Sequence, residues 1–337
     1  QSLARQPQSL ARQPQSLAQQ PQSLAQQQQC WQPEQRQQLR LCWLCNQLRG
    51  GFATALVLLS ATCFSLNTPL APLIYADGGN TATVTLLRVA AAAVVLAGLA
   101  FWRRAWPRFE RADLFWLAVV AVTFTAQGLC YLAAVARIPV GLAALIFFFW
   151  PMLVAAFAPL IGERRPSLTT GIYFLIAFIG LAVALAPDLS RLDLWGIVQA
   201  CSGSLLIAVY MLSVRQLSVK FSGLGLSAAI TLPSAFLALL ALPWIGGLAL
   251  PQSETGLWAL LALCLCFGAG FLSLIFGMAR VAASRVAFLY NLEPILSIVA
   301  AAILLGEVLT FNQYAGGAMV IAALLLSSRQ HIAGTQF

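Results

Sequence analysis

The chain has 337 residues, 60% of them hydrophobic and only 9% charged, with a formal net charge of +9. Soluble domains average about a quarter charged residues. An ordinary water-soluble enzyme is therefore excluded, and a mean hydropathy of +0.84 indicates a polytopic membrane protein. The one Lys, Lys220, lies in no phosphate-binding glycine loop, and the one His, His331, follows the last apolar run. That excludes a nucleotide-driven pump built from this chain alone, and a His-based zinc site or Ser-His-Asp triad within the membrane. No metal, cofactor or catalytic residue is expected. The basic residues fall in short loops between apolar runs, so nucleic acid is rejected as a partner.

Residues 1–28 are four near-copies of a seven-residue unit, from QSLARQP to QSLAQQQ. One Leu per unit is half of what a coiled coil needs, and Pro in three of the four units breaks a long helix. Residues 1–49 are expected to be a disordered, low-complexity segment, with no apolar signal-peptide core. Cys42-Trp-Leu-Cys45 reads as a pair of incidental juxtamembrane cysteines. Cys63, Cys130, Cys201, Cys264 and Cys266 read as small packing residues in apolar runs.

Ten apolar runs follow, at 52–74, 81–101, 113–135, 139–161, 168–187, 194–214, 224–248, 256–279, 284–306 and 312–328. A membrane helix needs roughly 20 such residues. The runs lack the period-two polarity of a membrane β-barrel, so they predict an all-α integral membrane fold of ten helices. The loops are short, the longest expected between the second and third runs. Arg103, Arg104, Arg108, Arg111, Arg164, Arg165, Arg215, Lys220, Arg280 and Arg285 all fall at one end of the bundle, against Arg137 and Arg191 at the other. The positive-inside rule then places both termini in the cytoplasm. Trp102, Trp106, Trp195, Trp244 and Trp258 lie near run ends and read as interfacial anchors.

The chain repeats internally. Arg137, Pro151 and Gly162-Glu163 are matched by Arg280, Pro294 and Gly306-Glu307, with 14 residues from Arg to Pro in both. Two five-helix halves, 50–187 and 193–328, are expected, followed by a tail at 329–337. Five is odd, so the halves insert with opposite topology, as in secondary transporters that bind substrate near the midplane. Leu87-Arg88, Phe149-Trp150-Pro151 through Gly162-Glu163-Arg164, and Leu292-Glu293-Pro294 through Leu305-Gly306-Glu307 carry a resemblance. So do the Gly-rich helices with Gly171, Gly180, Gly316 and Gly317. The chain resembles the drug/metabolite transporter superfamily, EamA type, over about residues 50–328. The resemblance implies two inverted five-helix repeats, termini inside, and export of small metabolites such as amino acids.

An ionisable group inside a bilayer costs about 2.5–3.5 kcal/mol on insertion scales, so each invites a reason. Glu293, beside Pro294, is a candidate to bind a substrate ammonium or carry a coupling proton, or to serve as a structural carboxyl. Arg88, a third of the way into its helix, either pairs with another helix or snorkels; a direct pair with Glu293 is open. Asn67, Gln127, Tyr131, Trp150, Gln199, Tyr210, Ser273, Tyr290 and Asn291 complete a candidate cavity of polar groups and aromatic walls. Each singly also fits helix–helix hydrogen bonding or packing. Pro69, Pro72, Pro151 and Pro294 are candidate hinges. Glu163 and Glu307 are expected to cap neighbouring structure or pair with Arg.

The sequence therefore predicts a secondary transporter in the cytoplasmic membrane, a monomer or homodimer in lipid, moving a small molecule by alternating access, with a proton as candidate coupling ion. A nucleotide-sugar or sugar-phosphate exchanger of the same superfamily is the first alternative. A channel or membrane-embedded enzyme is the second.

Overall fold

The computed structural model describes residues 51–187, 189, 192–221, 223–244 and 246–334. The Gln-rich repeats, Cys42, Cys45, Asp188, Arg191, the side chain of Arg329 and residues 335–337 lie outside the described residues. The described chain is helical and contains no strand. Its apolar runs form α1 (Gly51–Ala76), α2 (Thr81–Trp102), α3 (Arg111–Val135), α4 (Val140–Ile161), α5 (Leu168–Leu185), α6 (Leu194–Lys220), α7 (Gly223–Ala241), α8 (Glu254–Met278) and α9 (Ala283–Leu305), each long and apolar enough to cross a bilayer. The last, α10 (Phe311–Gly334), has a shorter apolar part, Phe311–Ser327. It runs past the end expected at 328. The longest connection is not the one after α2. It follows α7, which stops at Ala241, where a short 3-10 turn (Leu242–Trp244) and glycines at positive φ (Gly246, Gly247) take over.

Polar residues start the helices. Asn80, Ser167, Asp193 and Ser253 each accept the backbone N–H three residues on, and Glu110 and Asp113 form a reciprocal box at the start of α3. These caps satisfy donors that the first helical turn leaves open. Large apolar side chains such as Val94, Phe101, Leu160 and Leu265 point outward, while Ala53, Ala61, Ala208 and Ala228 are fully buried between helices. Lipid is as apolar as Leu, so close backbone packing rather than burial from water holds such a bundle. The cysteines of the apolar runs are half-buried, except that Cys201 is exposed and does not pack as expected.

Arg137 and Arg280, like Pro151 and Pro294, stand 143 residues apart. The helix contacts follow the same relation. α3 packs on α6 as α8 packs on α1, and α3 on α7 as α8 on α2. The pairs α2–α7, α4–α9 and α5–α10 each join equivalent helices of the two halves. The polar clasps at the helix ends are also equivalent. Asp77, just past α1, accepts the Ser253 N–H through Oδ2 at 2.6 Å, at the start of α8. Its counterpart Lys220, ending α6, donates to Asp113 Oδ1 at 2.9 Å, at the start of α3.

The backbone N–H of Ser253 holds the Asp77 carboxyl below the ordinary aspartate range. Folding therefore favours the ionised form. The clasp contributes fully above the unfolded value, near pH 4, and is lost as pH falls through the lower folded value. Asp77→Asn is expected to lower the melting temperature in detergent at pH 7, with the gap to wild type closing below about pH 4. A gap that stays constant from pH 7 to pH 3 contradicts this.

Three helices break just before a proline. α1 turns at Leu66, α4 at Phe148–Phe149 and α9 at Tyr290–Asn291, ahead of Pro69, Pro151 and Pro294. Proline lacks the N–H that would bond four residues back. The carbonyl that Pro69 leaves open, Ser65 O, is taken by Ser297 Oγ of α9 at 3.0 Å, which ties α1 to α9. Pro72 and Pro233 sit inside their helices without such a break.

Candidate functional site

The broken segments meet an aromatic chain at the centre. Trp150, at the break in α4, stands edge-on to Tyr290 at the break in α9, with centroids 5.8 Å apart. Both rings are almost fully buried. Tyr290 reaches Phe64 of α1 at 6.4 Å, and Phe64 meets Phe267 of α8 edge-on at 5.6 Å. Phe124 of α3 joins Phe267 to Tyr210 of α6, at 6.3 and 5.5 Å. Ser60 Oγ donates to Gly270 O at 2.6 Å, so its one proton is used. The Tyr290 hydroxyl, also 2.6 Å from Ser60 Oγ, is then the donor in that bond. This fixes the Tyr290 ring against α1 and α8.

Arg88 extends from α2 onto this aromatic chain, its guanidinium 5.3 Å from the Phe267 ring centre. That is within the reach of a cation–π contact. Its Nε is buried and has no acceptor. With Thr85, Phe124, Gln127 and Ser234, it lines a cavity of about 30 Å³ between α2, α3 and α7, room for about one water. Glu293 follows Tyr290 by three residues and is half-buried. The ion pairs among the described residues are Arg137–Asp193, Arg215–Glu163 and Lys220–Asp113. Arg88 and Glu293 lie within electrostatic range of each other without forming one. The direct pair left open by the sequence is therefore not made.

The other residues singled out in the sequence divide. Asn67 turns its amide N–H onto Cys63 O at 2.9 Å, which leaves its Oδ1 buried without a donor. Asn291 bonds back in the same way to Phe288 O at 2.9 Å and supports the helix break. Gln199 Oε1 is likewise buried and unpartnered. Tyr131 packs on Phe147 at 5.0 Å, among Ile138 and Leu142. Ser273 is buried in α8. Phe64, Phe124, Phe267 and Ser60 belong to the centre and were not singled out. One signal was available: Phe124 and Phe267 stand 143 residues apart, at equivalent places in the repeat.

One end of the bundle is latched. Glu163, after α4, accepts Arg215 Nε of α6 at 3.1 Å and the Ala283 N–H at the start of α9 at 2.7 Å. Arg215 Nη1 also donates to Met278 O, ending α8. Gly162 makes this possible by closing α4 at φ +82°, as Gly306 closes α9 at φ +70°, a conformation that favours glycine. The equivalent residue Glu307 does not repeat the contact. It is exposed and, among the described residues, makes no hydrogen bond or ion pair. The expectation that both glutamates cap or pair holds for Glu163 alone.

A model of the EamA-like transporter family matches residues 51–186 and again 194–329. The chain belongs to the EamA-like transporter family. The two matches fall on the two five-helix halves. An uncharacterized transporter of Archaeoglobus fulgidus is 29% identical over 258 residues, which is 75% of this chain and 88% of that protein. The threonine/homoserine exporter RhtA of Escherichia coli K12 is 28% identical over 273 residues, 78% and 85% of the two chains. A solved crystal structure, 18% identical, shares the fold with a TM-score of 0.67 over 80% of this chain and 95% of the other. This EamA-like chain is thus a multi-pass membrane transporter.

Proposed function

We propose that this transporter exports small metabolites, foremost amino acids or related amphiphiles, across the cytoplasmic membrane by alternating access, with both termini in the cytoplasm. The observation that carries the mechanism is the one-sided latch. Two halves that are equivalent at their other end clasps differ at Glu163 and Glu307. Release of the Glu163 latch would open that end of the bundle to its side of the membrane. The Arg-rich loops favour the cytoplasm for the latched end. The likeness to an exporter of threonine and homoserine supports an amino-acid substrate. Glu293 is the group best placed to hold an ammonium or carry a coupling proton. An exchanger of phosphorylated sugars needs several central cations, and at the aromatic centre only Arg88 stands within reach.

The test is uptake into proteoliposomes of amino acids, nucleotide sugars and cationic drugs, with and without a pH gradient. Saturable counterflow of amino acids is the expected result. Flux confined to phosphorylated substrates would replace this reading with the exchanger, and single-channel currents would replace it with a channel.

A further inference from the structure

Two buried polar atoms near the aromatic centre lack what they need, and they lack opposite things. Arg88 Nε is a donor without an acceptor, and Asn67 Oδ1 is an acceptor without a donor. A buried polar group left unpaired costs about 1–3 kcal/mol, so such atoms are rare and ask for an explanation. Glu293 adds a carboxyl group that forms no ion pair among the described residues. Asn67 lies one helical turn beyond Phe64, Glu293 one turn beyond Tyr290, and Arg88 covers Phe267. Phe64, Phe267 and Tyr290 touch in series. Arg88 thus covers one ring of this series, Asn67 and Glu293 each follow another ring of it by three residues, and Arg88 and Glu293 form no ion pair with each other.

We propose that Arg88, on one side, and Glu293 with Asn67, on the other, are the two poles of a clamp for a zwitterion, an α-amino acid with an apolar side chain. The substrate carboxylate accepts from Arg88, and its ammonium donates to Glu293 and Asn67 Oδ1. Each unpaired protein atom then gains the partner of opposite kind. A molecule with only one of the two charges leaves the other pole unpaired. The half-buried ring of Phe64, backed by the buried rings of Phe267 and Trp150, supplies a wall that an apolar side chain can lie against. The assignment rests on the exporter reading above and narrows it from small metabolites to zwitterions.

The experiment uses the full chain in proteoliposomes, with counterflow of labelled phenylalanine as readout. The competitors are phenylalanine, phenylalanine amide, which lacks the carboxylate, and phenylpyruvate, which lacks the ammonium. Wild type is expected to prefer phenylalanine over either analogue by at least about tenfold, the cost of one buried charge left unpaired. Arg88→Gln is expected to lose at least tenfold in phenylalanine flux and to stop discriminating against the amide. Glu293→Gln is expected to stop discriminating against the keto acid. Arg88→Lys keeps the charge and should recover part of the flux, which separates the clamp from a folding defect. Monodisperse elution of every variant is required as well. Phenylalanine flux that treats all three competitors alike, or that both variants preserve, overturns the clamp and leaves the exporter standing. Flux of a phosphorylated substrate alone overturns both.

Discussion

Glu163→Ala will open the Arg-rich end of the bundle. In wild type that carboxylate joins α4 to α6 through Arg215 and to the first N–H groups of α9 through Ala283 and Ser284. The pair is mostly shielded, with side-chain exposures of 19% for Arg215 and 12% for Glu163. Screening therefore does not reduce it to the near-zero value of a surface pair. A hydrogen bond to a charged group is worth about 1.5–3 kcal/mol, and a carboxylate at a helix N-terminus adds about 0.3–1 kcal/mol. Removal shifts the balance between closed and open by about 2 kcal/mol, roughly thirtyfold. Spin labels at positions 164 and 280, both exposed at that end, report the change as a population at longer distance. Glu163→Gln, which keeps an acceptor for Ala283 but loses the charge facing Arg215, is expected to lie between wild type and Ala. Glu307→Ala is the control, because its side chain holds nothing in this arrangement, and it leaves the 164–280 distances unchanged. Identical distance distributions for wild type and Glu163→Ala would remove the latch as a gate.

The contrast between Glu163 and Glu307 also marks how far a sequence can be read. The two Gly-Glu pairs have the same local pattern, and the pattern does identify the end of a helix in both. Glu163 is engaged because α6 brings Arg215 to it; the residue equivalent to Arg215 in the first half is Pro72. The helix-end pattern itself does not carry that difference, which lies on another helix. The ten helices were legible because continuous apolar runs and short charged loops allow little else in lipid. The breaks were legible because a proline removes a specific backbone donor, and all three breaks lie within four residues of Pro69, Pro151 or Pro294.

The centre was legible in part. Arg88, Asn67, Trp150, Tyr290 and Glu293 stand out because polar and amphipathic groups are costly or unusual inside a membrane helix. Phe64, Phe124 and Phe267 do not stand out, because phenylalanine serves equally well against lipid, and Phe101 and Phe236 do face outward. Tyr131 shows what helical spacing leaves open. It stands four residues from Gln127 on α3, and its ring meets Phe147 of α4. Helical spacing tells which residues share a face. It does not tell which neighbour that face meets, and the apolar faces of this bundle are too alike to say.

The second large effect belongs to a pair of adjacent glycines. Gly316 and Gly317 occupy consecutive positions on α10, and sequence alone treats them as one Gly-rich feature. Their surroundings differ. A Cβ on Gly316 would collide with the backbone of α5 at Gly180 O and Ala184 N, and would stand 2.8 Å from the Ala184 Cβ. Neither backbone atom can move without parting the helices. Gly180 faces the same crossing, where an added Cβ would stand 2.8 Å from Gly316 O. At Gly317 the nearest atom is the Cγ2 methyl of Ile295 at 3.4 Å, an ordinary contact distance and not a backbone atom. Gly316→Ala is therefore expected to destabilise the protein by about 1–3 kcal/mol, the usual cost of overpacking. Gly316→Leu should yield no monodisperse protein at all. Gly317→Ala is expected to be neutral or mildly stabilising, because alanine favours the helix by roughly 0.8–1.0 kcal/mol over glycine. Fluorescence-detected gel filtration after a heating series measures all three. Equal melting temperatures for Gly316→Ala and Gly317→Ala would show that α5 and α10 are not held by backbone contact. α5 and α10 pair across the two halves, so this glycine crossing is part of what joins them, by close backbone packing rather than by large side chains.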